Sequence, residues 1–170
     1  MSYMLSGFIA KCGIFDKYRH SHPRVSVATL TEEFDLLLND EYLRQALGKS
    51  MSGDPEGFEH WLLSEEVITL VSELSMQTPV AYVLADFFGG IGSQSSAVWK
   101  KGKMTMKSQT CITRIPQSFG PVNAALKEMG VIATEGKDEF ETIGLNRHRQ
   151  MEDWFEASTG INSRKYYEEW

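Results

Sequence analysis

The sequence predicts a single α+β domain, built as a mainly antiparallel sheet with helices packed on it. Three observations carry that expectation. Strand-like and helix-like apolar patterns intermix without the regular alternation that a parallel sheet requires. Hydrophobic residues make up 42% and charged residues 24% of 170 residues, a composition able to bury one core without disulfides or metals. No repeat, low-complexity run or Pro/Ser-rich linker divides the chain, and its five prolines are dispersed.

Taken in order, Tyr3 to Lys11 reads as a strand, with Gly7 marking a bulge or a close backbone approach. Ile14 to His20 is a short helix or loop, and Ser21-His22-Pro23-Arg24 a turn. Val25 to Leu30 and Glu33 to Leu38 alternate as two strands of a hairpin around Thr31-Glu32. Asn39 or Asp40 caps a helix to Leu47. The stretch from Ser50 to Gly57 is the most loop-like in the chain, and Phe58, Trp61 and Leu62 follow at helical spacing. Ser64 is placed as the N-cap of a helix whose stripe is Val67, Leu70, Val71 and Leu74, with Glu65 and Glu66 in its first turn where the helix dipole favours acids.

Val80 to Phe88 has the continuous apolar character of a central strand buried on both faces, and Asp86 is expected inside it. Phe88 to Gln94 is expected to be a Gly-rich turn, followed by a strand from Ser96 to Lys100 and a second from Lys103 to Thr110. Pro121 and Gly130 bracket a helix, Pro at its first turn and Gly past its end. Asp138 to Ile143 and Gln150 to Ala157 read as further helices. The tail from Lys165 to Trp170 either docks by its aromatics or frays.

The net charge of −6 is localised. Between Met51 and Trp99 there is no Lys or Arg, while Asp54, Glu56, Glu59, Glu65, Glu66, Glu73 and Asp86 supply seven negative charges. A one-sign region steers a basic partner and argues against direct nucleic-acid binding, which needs clustered Lys and Arg. No apolar run reaches the roughly 20 residues of a membrane span. The order of charge and apolar residues at the start is wrong for a secretory signal. With two cysteines and no CxxC, a reduced cytoplasmic protein without a disulfide framework is expected.

No catalytic constellation is legible. Gly89, Gly90 and Gly92 could expose backbone amides to an anion, but neither a Lys-Ser/Thr pair nor a following helix completes a phosphate loop. His20 and His22 lack a third ligand, so no metal and no cofactor is expected. Cys111 has no nearby base, and no nucleophile elbow surrounds Ser93, Ser95 and Ser96. Asn146-Arg147-His148-Arg149 is a compact basic patch that either binds an anion or pairs with the acids around it.

Three stretches, Ser6 to Lys11, Ala81 to Gln94 with Ala97-Val98-Trp99 after it, and Gly120 to Leu126 with its closing Gly130-Val131, together resemble a family of small, mostly uncharacterised bacterial proteins. Some proteins of this sort are immunity proteins of polymorphic or contact-dependent growth inhibition toxins. The resemblance implies a non-enzymatic inhibitor of a cognate toxin, for instance a ribonuclease, and carries over no catalytic residue. The acids Asp54, Glu56, Glu59, Glu65, Glu66 and Glu73 would then steer the partner, with Phe58 or Trp61 as a buried anchor. The alternative is a small hydrolase or ligand-binding domain whose site comprises Asp86, Gly89, Gly90, Gly92, Ser93 and Gln94, completed by His20 or His22.

Overall fold

Two strands that are apolar on both sides form the axis of the structure. In the computed structural model, which describes residues 2–47, 63–110 and 120–162, β1 (Ser2–Lys11) lies antiparallel to β4 (Val80–Phe88). Ser2 stands opposite Phe88 and Ile9 opposite Ala81. Around this pair the described residues form a six-stranded antiparallel sheet in the order β2-β3-β1-β4-β5-β6, with β2 at Val27–Thr29, β3 at Phe34–Leu38, β5 at Ile91–Lys100 and β6 at Lys103–Gln109. The α+β class and the antiparallel sheet are as the sequence predicts.

Alternation sends successive side chains to opposite faces, so a strand pair apolar throughout requires cover on both. Leu5, Ile9, Val83 and Ala85 pack on one face beneath α4 (Pro121–Glu128) and α6 (Met151–Thr159), whose Leu126, Trp154 and Phe155 are fully buried. Between those helices lie the short α5 (Glu139–Thr142) and a 3₁₀ turn at Leu145–Arg147. Phe8, Tyr82, Leu84 and Trp99 fill the other face, covered by α1 (Asp16–Ser21) and α3 (Glu65–Leu74) through Tyr18, Val67, Leu70 and Val71. Helix α2 (Glu41–Ala46) serves both layers, giving Tyr42 to the first and Leu43 to the second.

Local chemistry fixes the ends of these elements. Asp40 accepts a hydrogen bond from Leu43 N–H at 3.0 Å, and Ser64 Oγ accepts one from Val67 N–H at 3.3 Å, so both expected N-caps are present. Gly89 and Gly90 form the two-residue β4–β5 turn with φ of 60° and 80°, the left-handed pair a type I′ hairpin demands. The expected turn from Phe88 to Gln94 is therefore corrected. Ile91 to Gln94 belong to β5, because pairing resumes at Phe88 and Ile91. Gly92 is an ordinary strand residue, selected by crowding: a Cβ there would fall 2.0 Å from the Asp86 carbonyl oxygen.

The expected strand from Val25 to Leu30 shortens to three residues, Val27–Thr29. Although acidic, Asp35 is buried, since its carboxylate accepts from Gly13 N–H at 3.1 Å and lies 3.5 Å from the Arg19 guanidinium. The Cys12 thiol donates to the same carboxylate at 3.5 Å; burial and that neighbouring negative charge push the thiol's pKa up. The tail from Lys165 to Trp170 and the Phe58–Leu62 turn lie outside the described residues.

Gly7 is the close approach anticipated from the sequence. A Cβ on it would meet Leu37 O at 2.9 Å and Leu36 Cδ1 at 2.8 Å, where β1 and β3 pair. Gly7→Ala is expected to cost about 1–3 kcal/mol, as overpacking of a tight interior does. Urea unfolding followed by tryptophan fluorescence measures it, and an unchanged midpoint would contradict this packing.

Candidate functional site

Two surface features collect the chemistry, one over each helical layer. The first is a groove along α3. Its helix exposes Glu65, Thr69 and Glu73 at four-residue spacing, with Glu66 half-buried beside them. Tyr18, Leu47 and Leu70 give the groove an apolar floor, and no Lys or Arg lines it among the described residues. The Tyr18 phenol is pushed up by burial and by the charge of Glu73. Of the expected partner residues, Glu65, Glu66 and Glu73 share this groove, whereas Asp54, Glu56, Phe58, Glu59 and Trp61 lie outside the described residues.

The second feature is a cavity of about 350 Å³ on the opposite side of the sheet, between β4, β5, the start of α4 and the segment before α6. Phe87, Tyr3 and Phe140 form its apolar walls, the last two meeting edge to face with ring centres 5.5 Å apart. Burial pushes the Tyr3 phenol well above its ordinary value, so it remains a protonated donor to Leu145 O at 3.0 Å. Asn123 places Phe140 by accepting its N–H at 2.8 Å and donating to Asp138, the N-cap of α5, at 3.0 Å.

Gln94, buried in β5, ties the sheet to α4. Its Oε1 accepts from Val122 N–H at 3.1 Å, supplying the N-terminal hydrogen bond that the capping residue Gly120 has no side chain to make. Gly120 is itself required there, since a Cβ would lie 2.2 Å from Gln94 Oε1. The bond to an N–H fixes the amide's orientation. Its Nε2 has no hydrogen-bond partner among the described residues.

Strand alternation divides the residues of the alternative site. Gly90 and Gln94 line the cavity, while Asp86 and its cross-strand partner Ser93 project to the opposite face. Gly89 is confined to the turn and Gly92 to close strand packing. The expectation that Asp86 is buried is also corrected. It is exposed, because packing on that face of β4 ends at Leu84. Asp86 stands opposite Met4, whereas Arg19, next to His20, pairs with Asp35 opposite Ala10. Six residues of β1, about 20 Å at 3.3 Å per residue, separate those levels, so His20 and Asp86 are not brought together.

The basic patch divides as well. Arg147 donates to Thr29 O at 2.8 Å and Gly144 O at 3.1 Å, and lies over the Trp154 ring, an entirely structural use. Arg149 instead lines the cavity with Asn146, and neither side chain has a partner among the described residues. The Arg149 carbonyl accepts from Met4 N–H at 2.8 Å, anchoring this segment to β1. Sequence reading singled out Arg149 within its patch but missed Tyr3, Phe87 and Phe140, which carry no signal beyond being aromatic.

Among the described residues no cluster of three or more His, Cys, Asp or Glu has metal-binding geometry, and no helix is long and apolar enough to cross a membrane. No family model, curated protein or solved structure matches the chain.

Gln94→Ala, which strands the Val122 N–H, is expected to cost about 1–3 kcal/mol. Asp86→Asn, at an exposed position, should change stability by less than about 0.5 kcal/mol. Denaturant unfolding compares the two, and the reverse ranking would overturn the placement of both.

Proposed function

We propose that this protein is a non-enzymatic binding protein whose acidic α3 face docks a basic protein partner, most concretely an immunity protein that neutralises a cognate toxin such as a ribonuclease. One observation carries the reading: Glu65, Glu66 and Glu73 border a groove with an apolar floor and, among the described residues, no basic one. Such a surface combines both parts of a protein interface. Its charges accelerate encounter with a basic surface, and its apolar floor supplies desolvated contact afterwards. Nuclease toxins need basic surfaces to hold nucleic acid, which makes them complementary to this face. Asp54, Glu56 and Glu59 extend the negative charge along the sequence, with Phe58 or Trp61 as the anchor. The resemblance described from the sequence blocks supports the toxin as the partner's class.

A decisive measurement is co-expression with the C-terminal domain of a secreted protein encoded directly upstream. Growth protection is expected, and its absence would overturn the immunity reading. For the purified pair, the triple variant Glu65→Lys, Glu66→Lys, Glu73→Lys should slow association by about tenfold or more at low salt, with the gap narrowing as salt screens the charges. An association rate equal to the parent's would remove α3 from the interface.

A further inference from the structure

The cavity between β4, β5 and α4 has a charge character opposite to that of the rest of the molecule. In a chain of net charge −6, it is lined among the described residues by Arg149 and by no Asp or Glu. An arginine left without a carboxylate beside a concave apolar surface is suited to complete its hydrogen bonding with an incoming anion. Two further polar groups converge there. The Asn146 amide has no partner among the described residues, and Gln94, fixed through Oε1 to Val122, retains the two donors of Nε2. The remaining walls are apolar and held in place: Tyr3 by its bond to Leu145 O, Phe140 through Asn123, and Phe87 by its position in β4 opposite Tyr3.

We infer that this cavity binds a small amphiphilic carboxylate, with its anionic group on Arg149 and Asn146 and a flat apolar body between Tyr3, Phe87 and Phe140. The volume sets the size. At about 30 Å³ per water-sized group, 350 Å³ holds about a dozen non-hydrogen atoms, the scale of an arylacetate and too small for a nucleotide. Preformed walls favour a rigid planar ligand over a flexible chain, which would lose more freedom on binding. Gln94 Nε2 adds a donor for a ring substituent that accepts a hydrogen bond. The site lies across the sheet from the acidic α3 groove, so it is independent of the proposed toxin-binding face.

Phenylacetate is the direct probe, titrated into ¹⁵N-labelled full-length protein and followed by amide chemical shifts. Saturable shifts at Tyr3, Phe87 and Asn146 are expected, with phenylacetamide and acetate each binding at least about tenfold more weakly, since one lacks the charge and the other the apolar body. Arg149→Ala, an exposed substitution compatible with folding, should weaken phenylacetate by about tenfold and leave phenylacetamide unchanged. Phe87→Ala should weaken both. The inference is overturned if phenylacetate gives no saturable shift at millimolar concentration, if Arg149→Ala binds it as the parent does, or if acetate binds equally well.

Discussion

The pairing of β1 with β4 is the constraint from which the other elements follow. Both strands are apolar on alternate and intervening positions, so neither face of the pair can be left to water. Burying one residue such as Phe8 or Tyr82 is worth about 1.5–3 kcal/mol, and the benefit is realised only when a helical layer closes over it. The requirement is met separately on each side, by α1 and α3 on one and by α4 and α6 on the other. Ser6 and Tyr82 show how strictly the interior is kept. Their hydroxyls meet at 3.1 Å within the core, so each polar group is satisfied by the other.

The two layers then diverge in character. The α3 side is acidic because that helix belongs to the stretch without Lys or Arg, and its apolar stripe commits the remaining positions to solvent. The α4 side is assembled from more pieces. There α4 and α6 are bridged by short pieces, α5 and the 3₁₀ turn, joined through Asn123, Asp138 and Tyr3. A cavity persists at the junction of those pieces. Its outline depends on Gln94 and Gly120, a side chain and a missing side chain matched to each other.

Much of this architecture was legible from local rules. Asp40 and Ser64 announced helix starts, Gly130 and its preceding stripe a helix end, and the long apolar run β4. These signals act within a few residues and survive in any context. What was not legible depends on contacts between distant positions. Asp86 was placed in the core because its neighbours are apolar, but its exposure depends on where the covering layer ends, a tertiary fact. Asp35 shows the converse, an acid buried because Gly13 and Arg19 arrive from another element. Of the cavity, Gly90 and Gln94 are legible as part of the Gly-rich candidate site and Arg149 as part of a basic patch, yet nothing in the spacing of Tyr3, Val122 and Phe140 shows that they converge there.

The route of the chain through the sheet has a kinetic consequence. β1 precedes the other five strands along the chain, yet it occupies the interior, between β3 and β4. Its amides also close late: Met4 N–H bonds Arg149 O, and Ser6 N–H reaches the Met151 sulfur, some 145 positions away. Ser26 on the β2 side meets Ser158 at 2.6 Å in the same manner. A nascent chain that has released only β1 to β3 therefore carries an apolar ribbon that β3 can pair but that lacks β4 and the helices α4 and α6. Closure of this layer must wait until α4 and α6 have emerged, as expected for a topology rich in distant contacts. Synthesis thus passes through an interval in which the strand that later organises the molecule has an edge open to pairing with other chains.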